Sequence, residues 1–225
     1  MSGFFPFNLN MRVSSGDSVP STTPTTGCPL TNHPAWRRVV GVGDSVFCWE
    51  NQNGTTISIH GDTDNVKNLS FNSLHAPNGF VGCTIEYIGS GSQNWLLPLA
   101  GRMINGSNIV GARWNDGKFE VVQRKNNFWS TIGSGGTPVV GDEVVFSIFS
   151  TSWRLTVNGV KVLSGNLGLA ELDGYWGMSQ HRSGTLNGQT ILSNFHAGII
   201  DSLEHVVYNG EGVTYNGEEI LYMGE

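Results

Sequence analysis

The stretch SWRLTVNGVKVL, residues 152–163, leaves the chain few conformations. Trp153, Leu155 and Val157 alternate with Arg154 and Thr156; Asn158-Gly159 follows, and then Val160 and Val162 flank Lys161. Alternation with a period of two marks a strand with one buried face. Asn-Gly accepts positive φ at both central positions of a tight hairpin turn. The pairing this dictates sets Val157 against Val160 and Leu155 against Val162. With Trp153 they make one apolar face, and Arg154, Thr156 and Lys161 take the polar one. A one-residue slip would bury the charges, so the register is strongly specified.

The same signal recurs. GFVGCTIEYI (79–88) places Val81, Cys83, Ile85 and Tyr87 on one face. SNIVGARWNDGKFEVVQR (107–124) reads as strand, Asn-Asp-Gly turn, strand, and GDEVVFSIFS (141–150) is apolar on both faces, as a central strand is. DGYWGMSQ (173–180) and TILSNFHAGII (190–200) supply the last strands, while ELDG (171–174) fits a single helical turn. Helical periodicity never persists for ten residues. Charged residues are 13% of the chain and Gly numbers 31 of 225, a composition of strands joined by many turns. Roughly twelve short strands between Trp36 and Ile200 predict an all-β fold, a two-sheet antiparallel jelly-roll sandwich.

The ends read differently, which divides the chain into an arm (1–34), the sandwich (35–200) and a tail (201–225). Phe4, Phe5 and Phe7 form an aromatic knot ahead of SSGDSVPSTTPTTGCP, a run that cannot build a core. It is either a docking peptide that inserts into a neighbour or an arm folded back on its own domain. The tail repeats a Tyr-x-Gly-Glu unit at Tyr208, Tyr215 and Tyr222. A coiled coil is a poor reading, because one Gly per heptad costs about 1 kcal/mol each and no apolar seam exists. Hairpins with turns at Asn209-Gly210 and Asn216-Gly217 set Tyr208 opposite Glu211 and Tyr215 opposite Glu218. They also align Val206, Val213 and Ile220 in one cross-strand row beside the tyrosines. Such a three-stranded meander is too small to stand alone, so it would cover the main domain, a second copy or another partner. The competing reading is a frayed acidic tail.

The net charge of −6 resides in the tail. Residues 201–225 hold six acids and no Lys or Arg, which leaves twelve acids and twelve bases in the rest. There is no basic footprint, so nucleic acid is not an expected partner. No run approaches the ~18 apolar residues of a membrane span, and no membrane insertion is expected. Three cysteines at wide spacing, Cys28, Cys48 and Cys83, argue against a disulfide scaffold or a zinc site. Cys83 reads as a small core residue. The first residues lack the pattern of a signal peptide, so assembly in a reducing cytoplasm is expected.

The succession GFVGCTIEY, NIVGARWNDGKFEVV, GDEVVFSIFSTSWRLTVNGVKV, GYWGMS and LSNFHAG resembles the concanavalin A-like lectin/glucanase sandwich over about 165 residues. The V-T-Y-N-G-E repeat at the C-terminus resembles the ends of bacteriophage tail and other virion proteins, the minor tail proteins of phages infecting actinobacteria in particular. Together these imply a non-enzymatic structural protein of a virion. The termini would dock to other virion proteins, the assembly would be a homo-oligomer, and the sandwich would touch host-surface glycan. Two alternatives stay open: a capsid decoration or spike protein that only braces the shell, and a glycan-active enzyme or free lectin.

Hydrolases of that sandwich family need two carboxylates flanking the scissile bond. The nearest pattern, Glu171-Leu172-Asp173-Gly174, lacks its final acid, and Asp142-Glu143 reads as solvated capping. GSG (89–91) and GSGG (133–136) are loops, not a nucleophile elbow. The six histidines have no ligand spacing. Asp62 and Asp64 in HGDTDN are the candidate calcium carboxylates, though Asp-x-Asp in a polar turn is more often only a turn; no other cofactor is expected. Glycan binding needs an aromatic platform with planar polar groups on loops over a rigid sheet. The candidates are Trp95; Trp114 with Arg113, Asn115 and Asp116 at a hairpin tip; Trp129 beside Asn126 and Asn127; and His181 and Arg182 after Trp176. The competing reading for each is core or rim packing: Trp95 reads as a loop residue, and Trp114 and Trp129 stay open between the two. Trp49 and Trp153 alternate with apolar residues and belong to the core, and Trp176, inside a strand, leans the same way. The docking candidates are Phe4, Phe5, Phe7, Tyr208, Tyr215, Tyr222, Val206, Val213 and Ile220.

Overall fold

A computed structural model describes residues 11–13, 26–41, 47–59, 67–89, 96–105, 107–167, 173–180, 190–200 and, in the tail, 207–208, 211–212, 214–215 and 218–219. In chain order the strands are β1 (Met11–Val13), β2 (Trp36–Gly41), β3 (Phe47–Trp49), β4 (Ile57–Ile59), β5 (Lys67–His75), β6 (Gly79–Tyr87) and β7 (Leu96–Asn105). Then come β8 (Asn108–Asn115), β9 (Lys118–Lys125), β10 (Phe128–Gly135), β11 (Glu143–Phe149), β12 (Ser152–Val157), β13 (Val160–Asn166), β14 (Tyr175–Gln180) and β15 (Thr190–Ile200). Leu30–Asn32 is a single 3-10 turn.

Two antiparallel sheets form a sandwich. One has the order β13-β12-β11-β6-β15-β4-β3, with β1 also on β15; the other runs β10-β9-β8-β7-β14-β5-β2. The core lies between them and draws alternate residues from each strand. Val81, Cys83 and Ile85 of β6, and Val144, Phe146 and Ile148 of β11, face Val110, Ala112 and Trp114 of β8 and Phe119 and Val121 of β9. Burial of Cys83 raises its thiol pKa well above the usual range. Trp176 is fully buried and donates its indole N–H to the Ala76 carbonyl at 3.0 Å. It lies in a slot between the sheets that two glycines open, since a methyl at Gly79 or Gly101 would come within 2.7 or 2.5 Å of the ring. Trp49 and Trp153 are buried as well.

Three expectations need correction. Val157 pairs with Val160, but a bulge follows, so that Leu155 faces Leu163 and not Val162. The twist of an edge hairpin accommodates the extra residue without moving Trp153 and Leu155 from the core. Tyr87 leaves its predicted apolar face and is 49% exposed, because a register shift between Ile191 and Leu192 interrupts the ladder beside it. Cys28 and Cys48 are joined as a disulfide. The wide spacing hid this proximity, which arises because Gly27 bridges Trp49 through two backbone hydrogen bonds of 3.0 and 2.9 Å.

The described part of the first 34 residues contacts the sandwich. Met11–Val13 pairs with Gly198–Ile200. Leu30 is fully buried, and His33 donates from Nε2 to the Gln52 carbonyl while its Nδ1 accepts from the Ala35 N–H. Phe4, Phe5 and Phe7 lie outside the described residues. In the tail, Tyr208 pairs with Glu211 and Val207 with Gly212; Tyr215 pairs with Glu218 and Thr214 with Glu219. These are two two-stranded ladders. Val206, Val213, Ile220 and Tyr222 lie outside the described residues.

A candidate saccharide site at two paired turns

The strands β8 and β9 put a turn at each end, about 25 Å apart along eight residues. Asp116-Gly117 forms one end, with φ of 49° and 74°, the left-handed geometry that Asn-Asp-Gly favours. Four of the glycan candidates sit here, and the structure separates them. Trp114 shares parity with Val110 and Ala112, points between the sheets and is 2% exposed. It is a core residue, and its ring offers no platform. Arg113 points to the opposite face, where Nε and an Nη bind Glu120 Oε2 at 2.8 and 2.7 Å. Asn115 is largely buried and donates to Asp116 Oδ2 at 3.2 Å. Asp116 is exposed. At this tip Arg113 and Glu120 pair with each other, and Asp116 takes its hydrogen bond from the neighbouring amide.

The other end brings together residues far apart in sequence. The β9–β10 turn, Asn126-Asn127, lies against the β7–β8 turn at Asn105–Asn108. Asn127 Oδ1 accepts from Ser107 Oγ at 2.9 Å and from an Arg124 Nη at 3.0 Å. The Asn126 N–H donates to Asn108 Oδ1 at 3.2 Å. Asn105 Oδ1 accepts the backbone N–H groups of Ser107 and Asn108 at 2.7 and 3.1 Å. Asn126 and Asn127 adopt φ of 49° and 71°, which Asn tolerates better than other side-chain-bearing residues. The carbonyl of Asn105 in turn accepts from Asn68 Nδ2, at 3.2 Å, and Asn68 Oδ1 accepts from Ser179 Oγ at 2.7 Å. The turns are thus fixed to each other and to the outer face of the sheet.

Trp129 lies at the edge of this cluster. It is partly exposed and packs on a second apolar group, Leu97, Ala100, Met103, Ile109 and Val122, on the outer face. The Arg124 guanidinium stands over its ring, 5.6 Å from the centroid. Burial lowers the pKa of Arg124, but a guanidinium stays charged. A dimple of about 20 Å³ opens beside the turns, with Arg102, Asn108, Gln123, Arg124 and Lys125 in its lining. It has room for one water-sized group, so a sugar would lie across the surface and insert a single substituent. Phe128, 80% exposed, follows the turn directly.

Of the residues named from sequence, Trp129, Asn126 and Asn127 come together here. Arg124, Lys125, Asn105, Ser107 and Asn108 join them and were not singled out. The available signal was NGSN at 105–108, a second Asn-rich turn one strand upstream of the first. Trp95, His181, Arg182, Asp62 and Asp64 lie outside the described residues.

No family model matches the chain, and no curated protein matches its sequence. Among solved structures the chain is similar to the carbohydrate binding module CBM66 from Bacillus subtilis, with a TM-score of 0.52 and 13% identity over 73% of this chain and 95% of that one. Looser likenesses are to the botulinum neurotoxin serotype D binding domain (TM-score 0.44, 12% identity, 73% of this chain and 43% of that one) and to the GH43 BlXynB protein from Bacillus licheniformis (0.45, 11%, 64% and 33%). The chain spans less than half the length of either of these two. At such identities the likeness establishes the sandwich fold alone.

Proposed function

We propose that the sandwich is a non-catalytic saccharide-binding domain and that its site is the pair of turns at Trp129. The observation that carries this reading is the fixed array of planar groups around one partly exposed indole. An aromatic face takes the apolar side of a pyranose, and immobilised amides and a guanidinium supply directional hydrogen bonds at low entropic cost. The fold supports the reading, since a carbohydrate-binding module shares it. Asp142 supports binding over hydrolysis: it accepts from the Val139 N–H and from Asn158 Nδ2 at 2.9 Å each, a turn-capping role.

The wider role rests on the termini. The Tyr-x-Gly-Glu units and the aromatic N-terminal knot resemble docking elements of phage virion proteins, so the chain is a minor tail protein that displays the sandwich towards the host surface. Other virion proteins hold it at its ends, and it assembles as a homo-oligomer. A glycan array probed with the full chain and with Trp129→Ala tests the binding role. Saturable binding that the substitution abolishes is expected. Binding that survives Trp129→Ala, or no binding to any saccharide by the intact chain, overturns it.

A further inference from the structure

The register of the sheet carries the site well beyond the paired turns. Trp129 pairs with Arg124, and Arg124 with Ile109. Ile109 and Met103 fall between the pairs Gly101–Val110 and Asn105–Asn108. Met103 pairs with Tyr175, and Tyr175 with His75. Opposed residues in a ladder share a face, so one cross-strand row runs over the outer face from Trp129 to His75.

The two ends of this row are built alike. Trp129 and Tyr175 are partly buried, and both pack against the apolar cluster that contains Met103 and Ile109. Those two residues are closed to solvent, 0% and 1% exposed, so the rings meet the solvent and the cluster between them does not. At one end the ring has the fixed amides of the paired turns beside it. At the other, the His75 ring meets Tyr175 edge-on, with centroids 4.6 Å apart and planes at 79°. Asp173 Oδ1 lies 3.3 Å from His75 Nδ1 and accepts the Gly174 N–H at 2.8 Å. His75 and Asp173 are both exposed. This end therefore supplies a carboxylate, which binds sugar hydroxyls with charge-assisted hydrogen bonds.

Tyr175 and Trp129 stand four strands apart, about 19 Å at about 4.8 Å per strand. That is the length of several sugar rings in line. A single terminal sugar uses one aromatic platform and leaves the other bare. A chain that coils turns its ring faces away from the second platform, whereas an extended chain keeps them along one line.

We infer that the site takes a linear, extended oligosaccharide several rings long, laid across the strands from Trp129 to Tyr175, with Asp173 and His75 binding its far end. This rests on the saccharide-binding reading above and gives its ligand class.

The test is titration calorimetry of the full chain with two series, cello-oligosaccharides and chito-oligosaccharides, each as monosaccharide, disaccharide and hexasaccharide. In at least one series the hexasaccharide should bind about tenfold or more tighter than the disaccharide. Tyr175→Ala should remove that gain and leave the disaccharide bound as in the parent, while Trp129→Ala weakens both. His75→Ala, at an exposed position, guards against misfolding of the Tyr175 variant: it should weaken the hexasaccharide and leave the disaccharide and the thermal midpoint unchanged. A hexasaccharide bound no tighter than its disaccharide overturns the inference and leaves saccharide binding standing. So does a length gain that survives both Tyr175→Ala and His75→Ala, or an array on which other saccharides bind and neither series does. No binding to any array member overturns both.

Discussion

Arg124 and Trp129 are direct partners across the β9–β10 ladder, and the guanidinium carbon lies 5.6 Å from the centre of the indole ring. Opposed residues in a ladder share a face, so the cation and the aromatic surface are presented together by backbone pairing. Exposed cation–π contacts are worth about 0.5–1 kcal/mol. The pair is modest as a stabiliser and well placed as a recognition element.

Replacing Trp129 with Ala should weaken saccharide binding at least tenfold, about 1.4 kcal/mol, and should cost only about 1 kcal/mol of stability. Calorimetric titration beside a denaturant melt separates the two. A large loss of stability with unchanged affinity for the folded fraction would make Trp129 a packing residue.

Trp114 should behave in the opposite way. Its ring is in the core, so Trp114→Ala should destabilise by about 3–5 kcal/mol, and Trp114→Phe should fold and bind saccharide as the parent does. Lost binding in a stable Trp114→Phe protein would contradict this placement.

The Cys28–Cys48 bond closes a loop with a sequence separation of 20. On the chain-entropy account such a bond stabilises by about 3 kcal/mol. Cys28→Ser, or treatment with a reductant, should lower the thermal midpoint. Cys83 is fully buried and unpaired, so the non-reduced native protein should show no thiol reactive with a large reagent. An unchanged midpoint after reduction would contradict the structural role of the bond.

Deleting residues 204–225 should leave the cooperative thermal transition of the sandwich in place and remove self-association, as followed by analytical ultracentrifugation. A truncated chain without a cooperative transition would show that the tail is part of the domain's own core.

The local features of this fold are readable from period and turn chemistry. Asn158-Gly159 and Asp116-Gly117 announce their hairpins, and the alternation of Val81, Cys83 and Ile85 announces a core strand. The bulge at Val162 is not readable, because a single inserted residue leaves the alternation on both sides intact. The disulfide is not readable for a different reason: the approach of Cys28 to Cys48 depends on the Gly27–Trp49 bridge at a sheet edge, which no local pattern encodes. Trp114 continues the parity of Val110 and Ala112, but its place beside a hairpin tip leaves core and platform equally open, and the structure puts it in the core. The binding cluster combines turns 20 residues apart, and only the pairing of β8 with both β7 and β9 reveals that they meet.

Saccharide recognition at the paired turns leaves a residue-by-residue signature. It is tested most directly by amide and indole NMR of the full chain titrated with the saccharide that gives the strongest array signal. The account predicts saturable shifts of the Trp129 indole N–H and of the Asn105, Asn108, Asn126 and Asn127 side-chain amides, with the Asp116-Gly117 turn unmoved. Shifts centred on the Asp116 tip or elsewhere on the sandwich, with the Trp129 indole silent, would contradict it.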